Sequence, residues 1–396
     1  MTTYLAKQLF DGYALHNNMQ MSVENGHISS IIPAANSSIK PNVHLNGLVC
    51  AGFIDTQVNG GGGVLFNYEQ TIESLYKILQ GHVQFGTTAM LPTLITDSSE
   101  KMQKAAHVIS NAIVESMPGI VGIHYEGPHL SIAKKGIHSG KQVRPVSDTD
   151  LATFTRKDIG KVMVTVAPEN VPPDVIRDLV AQGVVVSLGH SGADIDITIA
   201  AIDAGARGFT HLFNAMSGLS ARDPGLIAAA LSDPRVSCGI IADLHHVHPQ
   251  NCALAYQCIG PERLMLVTDA MAHVGSQMQT LPWLNSTITK VGNKLTLDDG
   301  SLAGSCLDMT SALRNMFTLL TRRGHKDLPA NVRADVFGDV LNMASRAPAN
   351  LLNLDGHGQL QVGNRADFVL LDEGIYTKAC WIGGKQVFDA QQEEPD

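Results

Sequence analysis

A chain of 396 residues that is 44% apolar and 16% charged can bury a large core, which excludes a disordered chain and suggests one large domain with a small one. A net charge of −9 without any basic run argues against nucleic acid as the main partner, and a phosphorylated substrate would need local cationic groups against that field. No stretch approaches the ~18 apolar residues of a membrane span, the amino terminus lacks a signal-peptide core, and six scattered cysteines without a C-x-x-C read as reduced thiols, so a cytoplasmic protein is expected.

Residues 1 to about 52 read as β-structure. Met19–Val23 and His27–Ile32 flank Glu24-Asn25-Gly26, and Asn-Gly is the strongest short hairpin signal. A free hairpin is marginal, so these strands need a partner sheet. The other end of the chain offers one: Ala366–Leu371 reads as a strand and Cys380–Phe388 as a hairpin turning at Gly383-Gly384. A small β-sandwich domain built from both termini, 1–52 plus 346–396, is therefore expected.

Between them, over 53–345, short apolar runs alternate with helical stretches eight times. The predicted strands are Gly52–Gln57, Thr88–Pro92, Ile120–Tyr125, Lys161–Ala167, Val184–Leu188, Gly208–His211, Val236–Ala242 and Leu264–Thr268. Helical patterns lie between them, for example at Thr71–Phe85, Glu100–Glu115, Pro173–Gln182 and Asp194–Ala204. Eight parallel βα units over about 220 residues is the arithmetic of a TIM (β/α)8 barrel. A doubly wound sheet would normally carry a glycine-rich phosphate loop after its first strand, and Asn59-Gly60-Gly61-Gly62-Gly63 does not match G-x-G-x-x-G. A hairpin over Val291–Leu297 and helices near Leu307–Arg322 and Val332–Ser345 then pad the barrel.

Polar residues recur where these strands end. His190 follows the fifth and His211 ends the sixth, and a βαβ unit puts both at the same carboxyl-terminal edge. The third ends on Glu126, followed by Gly-Pro, which cannot continue a strand. Taken singly, each has a plain structural role: a hydrogen-bonded surface histidine, or a capping or salt-bridged acid. Together at one barrel mouth, Glu126, His190 and His211 make a catalytic divalent-metal set with open positions. One metal ion is expected, zinc first, with iron(II), manganese or cobalt also accepted by these ligands. Asp269, after the eighth strand, is placed to take a proton from a metal-activated water and hand it to a departing amine.

HYEGP (124–128) with KKGIH (134–138), LGHS (188–191), THLFNAM (210–216), GIIAD and HHV (239–247), VTDA (267–270) and LAGS (302–305) resemble the amidohydrolase superfamily. GQLQVGNRADFVLLD (358–372) is similar to the segment with which such enzymes return to their small β domain. The resemblance spans nearly the whole chain with its motifs in order. It implies hydrolysis of the acetamide of N-acetylglucosamine 6-phosphate to glucosamine 6-phosphate and acetate, by a homodimer. Within it, Glu126, His190 and His211 match metal ligands and Asp269 the acid/base. His138 matches a substrate-contacting histidine near the acetyl carbonyl, and Asn214 and Ala215 match sugar-contacting positions. Arg222 and His246 match phosphate binders, with Arg222 reaching in from the neighbouring subunit and His245 competing for the His246 role. Leu302 and Ser305 fall in the substrate-binding set.

Many superfamily members carry H-x-H after the first strand and bind two metals. Here Gln57 and Asn59 stand there, and amides are poor ligands for such ions, so a single metal is expected. Three other readings stay open. One is the epimeric substrate N-acetylgalactosamine 6-phosphate, the second another mononuclear amidohydrolase reaction, and the third a non-catalytic scaffold of the same fold.

Overall fold

The computed structural model describes residues 1–322 and 330–391. Its centre is an eight-stranded parallel sheet in sequence order. The strands, first to eighth, are Phe53–Val58, Thr87–Ile95, Gly122–Glu126, Lys161–Val166, Val185–Leu188, Gly208–Phe209, Ser237–Ile241 and Leu264–Val267. The eighth returns to the first. Val58 bridges Ala270 in parallel, and the Asp269 N–H donates to the Gln57 carbonyl at 3.0 Å. That closure makes a TIM barrel. Its strands are buried almost throughout because side chains on one face fill the interior while those on the other meet helices.

The helices begin where their caps predict. Thr71 and Ser74 form a reciprocal capping box at Ile72–Val83, whose Leu75, Ile78, Leu79 and Val83 are buried at helical spacing. Asp194 caps Ile195–Asp203 through the Ile197 N–H. Pro173 opens Pro173–Ala181, where its missing N–H leaves nothing unpaired. The padding after the eighth strand is a three-stranded sheet, Thr280–Trp283, Ser286–Val291 and Lys294–Thr296, followed by helices Met309–Arg322 and Ala330–Ala344. Among the described residues no helix is long and apolar enough to cross a membrane.

Strands from both termini form one seven-stranded sheet. The sheet curls over itself into the sandwich: the tip of the second hairpin at Gly26 lies against Gly383 of the last. Tyr4 meets Phe368 and Trp381 edge-on, with ring centroids 5.2 and 6.0 Å apart, and gives the small domain its own core. Residues 392–396, expected in this domain, lie outside the described residues. The helix Arg346–Leu352 does not join the sheet. Its Ala349 and Leu352 pack with Ile54, Ala89, Leu91 and Met163 at the amino-terminal end of the barrel. That end is plugged, and the opposite, carboxyl-terminal mouth carries the site.

Candidate active site

Where strands give way to loops at this mouth, the backbone turns sharply. His190, His211 and Asp269 adopt φ of 48°, 34° and 51°, the left-handed region that side chains with a Cβ disfavour. Such conformations cost of order 1–3 kcal/mol each and persist only where surrounding structure enforces them. The turn swings each side chain over the barrel axis.

Glu126 is 2% exposed. Its Oε1 lies 3.1 Å from His190 Nε2 and 2.9 Å from His211 Nε2, and those two nitrogens are 2.9 Å apart. The other nitrogen of His190, Nδ1, sits 2.8 Å from the Lys134 carbonyl. A carbonyl only accepts, so Nδ1 carries the proton and Nε2 turns a lone pair toward the carboxylate. One divalent cation placed among these three atoms could draw a lone pair from each. The donor set therefore fits a divalent metal, and the Lys134 carbonyl is the outer partner that fixes a metal-binding tautomer. Gly136 turns the same loop beside His190 at φ 54°, a conformation that glycine adopts without the penalty a Cβ brings.

His138 joins the group. The donor atoms of Glu126, His138 and His190 all lie within 4.8 Å of one another, and Thr96 Oγ1 holds His138 Nδ1 at 2.8 Å. Burial drives His138 well below the usual histidine range, and the neighbouring His190 adds to this. Burial raises Glu126, yet the neighbouring His190 and His211 outweigh it and hold the carboxyl well below its ordinary value. For His211 burial works downward, and the Glu126 carboxylate overcomes it, leaving a raised pKa.

Asp269 faces this cluster from the eighth strand. Asn59 Nδ2 donates to its Oδ1 at 2.7 Å and Gln57 Nε2 at 3.1 Å, and Gln57 Nε2 also lies 3.1 Å from Glu126 Oε1. Burial, then the Glu126 charge, push Asp269 up to about 6. A carboxyl near neutrality accepts and returns a proton readily.

A cavity of about 200 Å³ opens over these groups. Glu126, His138, His190, His211 and Asp269 line it, as do Asn214, Ala215 and Leu302. His246 lines it too, its Nδ1 held by Asp243 Oδ2 at 2.6 Å, whereas His245 is exposed outside. Ser305, expected in the substrate-binding set, does not line the cavity. It is 1% exposed, and its hydroxyl donates to the Thr268 carbonyl at 2.5 Å and accepts from the Leu307 N–H, which braces the loop. Gly304 lines the cavity in its place. Arg222 stands on an exposed loop and does not line the cavity of its own chain. Among the described residues no lysine or arginine does. From the sequence, Gln57 and Asn59 read only as poor metal ligands. Their position two residues apart at a strand end was the available signal that both side chains point into the mouth.

The profile of the amidohydrolase family matches residues 48–392. An N-acetylgalactosamine-6-phosphate deacetylase of Shewanella sp. (strain ANA-3) is 44% identical over 366 residues, 92% of this chain and 90% of that protein. The N-acetylglucosamine-6-phosphate deacetylase of Pasteurella multocida has a similar structure, with a TM-score of 0.90 at 29% identity over 97% of this chain and 99% of that one. A mutant N-acetyl-D-glucosamine-6-phosphate deacetylase from Mycobacterium smegmatis, solved in complex with N-acetyl-D-glucosamine 6-phosphate, gives 0.88 at 30% identity over 98% and 99% of the two chains.

Proposed function

The chain belongs to the amidohydrolase family, and from that premise we propose that it hydrolyses the acetamide of an N-acetylhexosamine 6-phosphate to acetate and the amino-sugar phosphate. N-acetylglucosamine 6-phosphate is the first reading, in cytoplasmic amino-sugar catabolism. The 44% identical relative favours a second, the galacto epimer. The observation that carries the chemistry is the convergence of Glu126, His190 and His211 donor atoms beside the hydrogen-bonded Asp269.

Glu126, His190 and His211 would hold one divalent cation, zinc in this reading, which when bound polarises the acetyl carbonyl and acidifies a water. Asp269 takes the proton of the attacking water and delivers it to the amide nitrogen as the carbon–nitrogen bond breaks. Proton transfer of this kind contributes roughly 10²–10⁴-fold. His138, oriented by Thr96, turns Nε2 toward the acetyl oxygen. Asn214 and Ala215 border the sugar, with Leu302 beside them. His246, backed by Asp243, meets the phosphate together with Arg222 of a second copy in a homodimer, which supplies the guanidinium that the cavity of one chain lacks.

The test is acetate release from the two epimeric sugar phosphates by purified enzyme, alongside metal analysis. Chelation should abolish turnover, and Asp269→Asn should lower it by roughly 10²–10⁴-fold to a small residual rate. Undiminished activity after either would refute the reading, and the ratio of kcat/KM for the two substrates decides the epimer.

A further inference from the structure

We propose that Gln57 and Asn59 are positioning residues that fix Asp269 by one carboxylate oxygen so that the other faces the reacting amide. This rests on the amide-hydrolase reading above. Residues 57 and 59 lie on the same side of an extended segment at the end of the first barrel strand. Each is 1% exposed. Both donate to the same atom, Asp269 Oδ1, at 3.1 and 2.7 Å. Among the described residues nothing donates to Oδ2. The Asn59 amide is oriented by this contact, because the flipped form would set two oxygens 2.7 Å apart.

The main chain reinforces the arrangement. The Asp269 N–H bonds to the Gln57 carbonyl at 3.0 Å, so the strand that carries both amides also fixes the left-handed turn at Asp269. Gln57 has a second task, since its amide also donates to Glu126 Oε1. One side chain thus sets the distance between a metal-ligand carboxylate and the proton-transfer carboxylate, which would otherwise repel.

In the proposed step, water oxygen bonds to the acetyl carbon while its proton moves to Oδ2. The same proton then passes to nitrogen as the carbon–nitrogen bond breaks, and Asp269 is again a carboxylate. The transfer needs Oδ2 aimed at both atoms in turn. A displacement of about 1 Å in such a geometry costs up to about 10²-fold in rate. Free rotation of the carboxyl group would allow that displacement.

The experiment uses metal-loaded, full-length enzyme and the variants Asn59→Leu, Asp269→Asn and their combination. Asn59→Leu should lower kcat by about 10- to 100-fold with KM and bound metal unchanged. In the Asp269→Asn background it should lower the residual rate no further, because Asn59 acts through Asp269. A crystal structure of Asn59→Leu should show the Asp269 carboxyl rotated. Asn59→Asp is the same size and replaces the donor by a second charge, and it should lose at least as much activity if the leucine variant fails to fold. Wild-type kcat in Asn59→Leu, an equal further loss in the Asp269→Asn background, or a fall in bound metal matching the fall in rate would each overturn the proposal. Wild-type turnover in Asp269→Asn would instead sink the parent reading.

Discussion

Arg144→Met should destabilise the enzyme by about 3 kcal/mol and loosen the site from 127–147, the loop that delivers His138. That loop also brings the Lys134 carbonyl to His190, and its far end is tied down by one ion pair. Arg144 donates through Nε and Nη2 to the two oxygens of Asp150 at 3.0 and 2.8 Å, and through Nη1 to the Asp97 carbonyl at 2.8 Å. The Asp150 side chain is 0% exposed. Burial would raise its pKa, yet hydrogen bonds from Arg144, Ser99 and Ser147 hold it below the ordinary carboxylate value. Removing the cation leaves a buried charge uncompensated, which typically costs 3–5 kcal/mol. Arg144 is 23% exposed, so water can partly replace it, and the lower end of that range applies. Urea unfolding should show the loss, and Arg144→Met with Asp150→Asn should recover at least about 1 kcal/mol of it by removing the stranded charge. A single variant as stable as wild type, or a double variant no better than the single, would refute this reasoning.

His190→Ala should lose both bound metal and turnover, and metal retained at full occupancy would remove His190 from the ligand set. Arg222→Ala should mainly raise KM for the phosphorylated sugar, so an unchanged KM would exclude Arg222 from phosphate binding. Asp55 makes a prediction about pH. Burial pushes its carboxyl from 3.8 up to about 7, against hydrogen bonds from Thr268 and Gln57. A raised folded-state value favours the protonated form, so its contribution to stability is full below pH 3.8 and is lost as the pH rises through 7. Above that, the ionised group costs about 4 kcal/mol relative to the protonated one. In chelator-treated protein, Asp55→Asn should therefore resist urea better than wild type at pH 8 and lose that advantage near pH 4. The same stability difference at both pH values would show that Asp55 does not titrate this way.

The eight barrel strands were legible because burial on both faces leaves uninterrupted runs such as Val184–Leu188. Asn25-Gly26 marked its hairpin for an equally local reason. Thr2–Phe10 and Val43–Ala51 were not resolved individually. Their parallel pairing slips between Ala6 and Gln8, which breaks the alternation that would announce a half-buried strand. Thr280–Trp283 was missed because Pro282 reads against a strand, although an edge position tolerates it. The helix at 346–352 falls in the stretch expected for the small domain, and its Ala349 and Leu352 pack at the barrel floor. In the site, strand-end histidines and acids were visible as such. The Gln57–Asp269 contact spans 212 positions and exists only once the barrel closes, so no local pattern could reveal it.

The left-handed turns explain why the site and the fold cannot be separated. A strand that continued past His211 in extended conformation would send alternate side chains into the packed interior, and the sixth strand, Gly208–Phe209, pairs over only two residues. Ending it early and turning at φ 34° puts the imidazole over the axis instead. The conformational cost is met by main-chain bonds on each side. Leu212 N–H donates to Gly239 at 2.7 Å after His211, and the His190 carbonyl accepts from Ser131 at 2.9 Å. The Gln57 carbonyl serves Asp269 in the same way. Three strained residues at roughly 1–3 kcal/mol each are a large fraction of the stability of an ordinary domain, so only a closed barrel with its own core tolerates them. The three side chains are thus aimed by the backbone itself. Glu126 ends its strand without a left-handed turn: it is paired in the sheet with Ile95 and Thr165, and Gln57 donates to its carboxylate.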